Sequence, residues 1–288
     1  MSKTILITGS SSGFGALTAE LALERGWNVV ATARRRGVIL PDAGDPDTLV
    51  RARLDVTEGG SIRQTVAASV SRFGAIDAVV NNAGIGLVGT GEEVSLAELR
   101  RQFETNFFGA VAVTKAVLPI MRQQGSGQLV FISSDLGRTG IPALGAYCAP
   151  KFALEGWAES LAPEVAPFGV GVTIVEPGAF ETGFHKKSLE HLGAVSDPDS
   201  PYAQLYQALK DHFFGGPGRP SGEPVAEAVL KAAEGREPRL RVPVGEDALE
   251  WAARRFVPQE ETFLGDLAVQ FGWGGKRRGG SGEGEEKD

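Results

Sequence analysis

Short runs of β-branched and aliphatic residues alternate along this chain with longer stretches in which apolar positions recur every three or four residues. The runs are KTILIT, NVVATA, VRARLDV, IDAVVN, GQLVFIS and GVTIVEP, and helical spacing fills the intervals near residues 14–26, 60–73, 95–123 and 147–168. Parallel neighbours need crossover connections, which are right-handed, so this alternation predicts a mostly parallel sheet with helices on both faces. The fold expected is α/β, doubly wound and Rossmann-like, in one domain over residues 1–273, with RLRVPV at 239–244 as a last strand. Between about 185 and 222 the pattern breaks. Pro198, Pro201, Pro217 and Pro220 stand there among scattered aromatics, and the stretch reads as a helical or loop lid over a ligand at the C-terminal edge of the sheet. Residues 274–288, Gly-rich and charged without large apolar side chains, read as a disordered tail.

Composition narrows the function classes. A net charge of −7 disfavours nucleic acid or an anionic membrane as the main partner. No apolar run approaches the ~20 residues of a membrane span, and MSKTILITGS has none of the parts of a signal peptide, so a cytoplasmic location is expected. The single cysteine, Cys148, allows no internal disulfide. His185, His191 and His212 lack metal-ligand spacing, and no metal site is expected.

Two stretches carry candidate chemistry. The first strand runs into TGSSSGFG, with Thr8, Gly9, Gly13 and Gly15 ahead of an apolar helix. Glycines at such a turn let the backbone approach a pyrophosphate, which then sits on the free N–H groups and positive dipole end of the helix. The spacing is G-x-x-x-G-x-G, not the general G-x-G-x-x-G, and a merely flexible turn is the alternative. The second stretch is AYCAPKFALEGWAE, where Tyr147 and Lys151 lie four apart on one helix face. Pro150 is tolerated only in a first turn, so the helix is expected to begin at about Ala146 or Tyr147. A lysine near a tyrosine stabilises the phenolate, which suits proton transfer; a solvated pair on a helix face is the bland reading.

Taken together, the Thr-Gly-x-x-x-Gly-x-Gly turn, NNAG at 81–84, a serine thirteen residues before Tyr-x-x-x-Lys, and PG at 177–178 resemble the short-chain dehydrogenase/reductase family over residues 3 to about 184. YCAPKFALEGWAESLAPEVAPFGVGVTIVEPG further resembles its hydroxysteroid and retinol dehydrogenases. The resemblance implies an enzyme with Asn106, Ser134, Tyr147 and Lys151 as its catalytic set. It also implies a nicotinamide dinucleotide held by Thr8, Gly9, Ser11, Ser12, Gly13, Phe14, Gly15, Asp55, Val56, Asn82, Ala83, Gly84, Tyr147, Lys151, Pro177, Gly178 and Thr182. Asn82 resembles the asparagine that braces the central sheet, and Asn106 the one that distorts its helix. Ser134 has an ordinary strand-end cap as its alternative, Asp55 an ordinary turn residue. Pro150 departs from the serine common in the family.

The second strand ends Ala33, Arg34, Arg35, with no acid for a ribose hydroxyl. Arginine suits a 2′-phosphate, so NADP(H) is expected over NAD(H), with a ligand-free basic loop as the alternative. Phe180, Phe184, Leu189, Phe213 and Phe214 suggest an apolar lid and an apolar substrate, and core or oligomer contacts are the other reading of these aromatics. The expected activity interconverts a secondary alcohol and a ketone, or a primary alcohol and an aldehyde, in a homodimer or homotetramer. A non-catalytic nicotinamide sensor and an enoyl-type reductase remain as alternatives.

Overall fold

The computed structural model describes residues 2–35, 45–182, 199–214 and 218–255. Seven strands form one parallel sheet: β1 (Thr4–Ile7), β2 (Asn28–Ala33), β3 (Leu49–Arg53), β4 (Ala78–Asn81), β5 (Gly127–Ile132), β6 (Val170–Pro177) and β7 (Arg241–Val244). Their order is β3-β2-β1-β4-β5-β6-β7, so the direction of winding reverses between β1 and β4. Register follows the apolar runs: Ile5 lies beside Val29 and Ala78, and Phe131 beside Ile174.

Because both faces are covered, the central strands are mainly apolar and not alternating, and their few polar side chains, Thr4, Thr32, Asn81 and Thr173 among them, are buried too. On one face α1 (Gly13–Glu24) and a later helix pack on Ile5, Ile7, Val29, Val80 and Val130. On the other, α2 (Gly59–Phe73), α4 (Gly109–Gln124) and α5 (Gly145–Val165) pack on Leu6, Val30, Val79, Leu129 and Phe131, with Trp157 standing edge-on to Phe131 at 5.8 Å. α3 (Leu96–Phe103) opens with a capping box, in which Ser95 Oγ accepts from Glu98 N and the Glu98 carboxylate accepts from Ser95 N. It continues through a π-helical turn at Glu104–Phe108 into α4.

Every strand read from the sequence is present, and RLRVPV supplies β7. Two local expectations are corrected. α5 begins at Gly145, because Tyr147 N and Cys148 N both bond back to Leu144 O, so Pro150 is its sixth residue, beyond the first turn. The helix accommodates the ring at the loss of one backbone bond, the one a residue-150 N–H would give to Ala146 O. Phe180 is not on a lid: it is buried against α1, edge-on to Phe14 at 6.0 Å.

Within the 185–222 segment, residues 203–214 form α6 (Ala203–Phe214), which buries Leu205, Tyr206 and Leu209 against Val88, Leu136, Ile141 and Cys148. Phe184 and Leu189, the side chains of Phe213 and Phe214, and the boundary at 273 lie outside what the structure describes. α7 (Glu223–Ala233) and α8 (Glu246–Arg255) complete the chain described.

α6 is tied down by polar contacts as well as apolar ones. Tyr206 Oη donates to Glu93 and accepts from Thr90 N at 3.1 Å, Ser200 Oγ donates to Glu93 at 2.7 Å, and Tyr202 Oη donates to Glu92 at 2.6 Å. Removing one hydroxyl therefore leaves a buried amide and a carboxylate each short of a partner. Tyr206→Phe is expected to cost about 1–3 kcal/mol in urea unfolding, with faster proteolysis in 199–214 than in the sheet. Unchanged stability and cleavage would show that the apolar contacts alone hold α6.

Candidate active site

The residues singled out in the sequence gather at the C-terminal edge of the sheet, where successive strands hand over to loops. At the end of β1, Thr8 Oγ1 accepts from Asn82 N and Ala83 N, both at 2.9 Å, and donates to Val80 O at 3.2 Å. Asn82 Nδ2 returns bonds to Thr8 O at 2.8 Å and Gly9 O at 3.1 Å. Gly9 turns at φ 74°, and a Cβ on Gly15 would overlap both Asn82 Nδ2 and Gly9 O. The glycines thus let backbone press on backbone at the switch point.

Ser12 caps α1 with extended backbone and no side-chain bond to the helix, and Ser11 and Ser12 are exposed. A Cβ built on Gly13 would lie 3.4 Å from Thr182 Cβ, so the turn and the loop after β6 face each other across a narrow gap. Phe14 is half-buried beside them. This open backbone turn at a helix N-terminus fits the pyrophosphate of a dinucleotide.

Arg34 and Arg35 are exposed at the end of β2. Asp55, following β3, is partly buried, which pushes its carboxyl up; two bonds from Thr57 and the charges of Arg34 and Arg53 outweigh this and hold it low. Val56 is buried at the foot of α4, where Gly109 leaves room for it. Pro177 ends β6. Gly178 N donates to Val244 O at 2.9 Å, while Ala179 N donates to Asp247 Oδ2 at 2.6 Å, and a side chain on Gly178 would overlap that carboxylate. The loop after β6 is therefore fixed from α8.

Asn106 sits in the π-helical turn, buried, with Oδ1 accepting from Ile85 N at 2.8 Å and Nδ2 donating to Ile85 O at 2.9 Å. Gln102 Nε2 donates to the same carbonyl at 2.8 Å. Gly84 lies against Asn106, so the NNAG loop and the distorted helix are one assembly.

Ser134, Tyr147 and Lys151 come together beyond β5. Ser134 Oγ is hydrogen-bonded with Tyr147 and donates to Asp135 Oδ1 at 2.7 Å. Lys151 Nζ lies 5.8 Å from the Tyr147 ring centre and donates to Ile132 O at 2.7 Å. Burial pushes the Tyr147 phenol above its ordinary value; Asp135's charge adds to this and Ser134's bond opposes it. Tyr147 is thus protonated at neutral pH, poised to give a proton. Burial pulls the Lys151 ammonium down from 10.5 to about 8, against the charge of Glu155. Cys148, beside the pair, points into the cluster under α6, where burial raises its thiol to about 11 and leaves it unreactive.

Three groups escaped the sequence reading. Asp135 follows Ser134 directly, and burial raises its carboxyl to about 6, which still leaves it ionised at neutral pH. Asp247 and Arg219 stand near it from the two C-terminal segments. An acid beside the strand-end serine was a signal available in SSDLG; Asp247 and Arg219 offered none.

A doubly wound parallel sheet with a glycine turn at its switch point is the architecture of a dinucleotide-binding protein. A sequence profile described as short chain dehydrogenase matches residues 3–193. Oxidoreductase BOA17 of Botryotinia fuckeliana is 39% identical over 262 residues, covering 88% of this chain and 93% of that protein. Retinol dehydrogenase 8 of Bos taurus is 39% identical over 253 residues, 83% of this chain and 80% of that one. A crystal structure of a short-chain dehydrogenase from Streptomyces avermitilis superposes with a TM-score of 0.78 at 37% identity, covering 93% of this chain and 96% of that one. The chain belongs to the short-chain dehydrogenase family, whose members are oxidoreductases that bind nicotinamide cofactors. Among the described residues no helix is long and apolar enough to cross a membrane, and no group of His, Cys, Asp and Glu could hold a metal.

The depressed lysine has a thermodynamic consequence. Below pH 8 the folded protein buries a cation that the unfolded chain would hydrate, and this penalty disappears as pH rises through the unfolded value of 10.5. Relative to Lys151→Met, the wild type should gain about 3 kcal/mol of stability between pH 7 and 10.5. A difference independent of pH in paired urea titrations would contradict a buried, depressed ammonium.

Proposed function

We propose that this oxidoreductase prefers NADP(H) and interconverts a secondary alcohol and a ketone, or a primary alcohol and an aldehyde, on an apolar substrate. The observation that carries the proposal is the contact of Ser134, Tyr147 and Lys151 at the edge of the sheet that also holds the glycine turn. In the reducing direction a nicotinamide cofactor, when bound, would supply the hydride that the carbonyl carbon accepts. Tyr147 gives its proton to the carbonyl oxygen, and Ser134 hydrogen-bonds that oxygen as charge develops on it. Lys151, a cation on the same helix face, stabilises the phenolate left behind. Asn106 holds the NNAG loop and so positions the floor of the site. The glycine turn, Asp55 with Val56, Asn82 to Gly84, and Pro177 to Thr182 would hold the dinucleotide.

Preference for the phosphorylated cofactor rests on Arg34 and Arg35, exposed and cationic where β2 ends without a carboxylate. An apolar substrate is supported by the cluster of Leu136, Ile141, Leu144, Leu205 and Leu209 beside Tyr147. The same cluster supports a substrate-covering role for the segment that includes α6. A homodimer or homotetramer is supported by exposed Leu96, Phe108 and Phe152 on α3 to α5, and by a groove of about 310 Å³ that Leu96, Leu99, Phe103 and Phe108 line.

Tyr147→Phe keeps the ring and removes the proton. Ketone reduction should fall at least 10²–10⁴-fold while NADPH affinity stays within about tenfold, measured by steady-state turnover and cofactor titration. Near wild-type turnover would overturn the mechanism, and a wild type that reduces no carbonyl but binds NADPH would point to a sensor.

Joint replacement Arg34→Ala and Arg35→Ala should weaken NADPH binding by about 10²-fold and leave NADH binding nearly unchanged, since only the former carries the 2′-phosphate. Equal losses for both cofactors would remove the assignment.

A further inference from the structure

A serine hydroxyl has one proton to give. In this structure Ser134 gives it to Asp135 Oδ1 at 2.7 Å, and Leu136 N donates to the same carboxylate oxygen at 2.8 Å and to Ser134 Oγ at 3.2 Å. A carbonyl oxygen that is to be held by Ser134 must take that proton away from Asp135. The half-buried carboxylate is then left with Leu136 N alone, and an alkoxide develops next to an anion. Both effects disfavour a plain ketone.

The surroundings of Asp135 do not remove the conflict. Tyr147 and Cys148 face it from α5 and are neutral at pH 7. Arg219, ahead of α7, and Asp247, at the start of α8, add one positive and one negative charge, so the three groups together retain one negative charge. A substrate can resolve the conflict itself if the carbon next to its carbonyl bears an N⁺–H or O–H group. Such a donor replaces the hydroxyl that Ser134 withdraws, and an ammonium also balances the charge.

Resting on the proposed carbonyl reduction, we infer that Asp135 determines specificity, selecting ketones whose adjacent carbon carries an ammonium or hydroxyl donor while an apolar chain runs along the Leu136–Leu209 side. The carboxylate is one residue from Ser134 and in direct contact with its hydroxyl, which places it one substituent away from the reacting carbon. The chemistry remains hydride transfer to the carbonyl carbon with the proton from Tyr147, and Asp135 contributes recognition only.

The test is a matched series, 2-octanone, 1-hydroxy-2-octanone and protonated 1-amino-2-octanone, reduced with NADPH by the wild type, Asp135→Asn and Asp135→Ala. The wild type should prefer the two donor-bearing ketones over 2-octanone by about tenfold or more in kcat/KM, as a site built for a polar partner does. Asp135→Ala should abolish the preference for both and raise turnover of 2-octanone. Asp135→Asn keeps the size and one acceptor oxygen, so it should lose the advantage of the amino ketone while keeping part of that of the hydroxy ketone. NADPH affinity within about threefold of wild type reports that each variant is folded, and Asp135→Asn decides if Asp135→Ala is not. Turnover of all three ketones at similar kcat/KM by the wild type, or an unchanged preference in Asp135→Asn, overturns the inference and leaves carbonyl reduction standing. Absence of any carbonyl turnover by the wild type overturns both.

Discussion

The site depends on a clamp between two strands that are adjacent in space and seventy-odd residues apart in sequence. Thr8 and Asn82 exchange side-chain and backbone bonds where β1 and β4 part company. Strands on either side of this point wind in opposite directions, so their loops diverge and leave a crevice. The clamp sets its width. It holds the glycine turn against the NNAG loop, and the loop in turn is held by Asn106 through Ile85. The π-helical turn follows from this chain of contacts, since the extra residue in the turn brings the Asn106 amide inward to both backbone groups of Ile85. The glycine turn, the NNAG loop and the helix behind them are positioned by one set of neutral hydrogen bonds, all largely shielded from water and therefore costly to leave unpaired.

Ionic contacts surround the site without filling it. Beneath Lys151, Glu155 pairs with Arg241 at 2.8 Å, and Arg138 and Arg241 both approach Glu176 from 3.4 and 3.6 Å. Burial, then the charge of Glu155, pushes the Glu176 carboxyl up, so the network is strained toward taking a proton. Its geometric effect is clearer than its energetic one, since buried pairs rarely outweigh their desolvation. It ties α5 to β6 and β7 directly below Tyr147 and Lys151. The cation of Lys151 thus has a fixed carboxylate on its own helix, one turn away, and a backbone carbonyl above it.

Sequence made the sheet and the motif residues readable because each depends on a few neighbours. NVVATA carries apolar side chains on successive positions, Val29 to Ala31, because both faces are covered, and the glycine turn announces a close approach wherever it leads. The place of Pro150 within its helix is not legible, because helix onset depends on Leu144 O, a backbone group that no side chain marks. The extent and docking of α6, within a stretch that reads as a helical or loop lid, are obscure for a related reason. Leu205, Tyr206 and Leu209 have helical spacing, but prolines and glycines on either side dominate a local reading, and the partners that stabilise it, Thr90 and Glu93, lie more than a hundred residues away. Phe180 reads equally as lid or core in the sequence, because its ring partner Phe14 lies far away along the chain. Asp135 was visible as a letter and silent as a function, because an acid after a strand is ordinary until its proton donor is known.

Asp247 joins the last described helix to the loop that follows β6. Its carboxylate occupies the space that a side chain at Gly178 would take, and it orders the backbone on which the nicotinamide end of a dinucleotide would rest. The far end of the sheet therefore helps shape the loop proposed to carry the cofactor, although no residue there belongs to a recognised motif. A displacement of α8, whether by a fused partner, an antibody or a ligand seated behind β7, would reach that loop through the Asp247 carboxylate. In an assembly the last described helix would then act as a lever: contacts made on the outside of the molecule would bear on the loop after β6 without reaching the crevice.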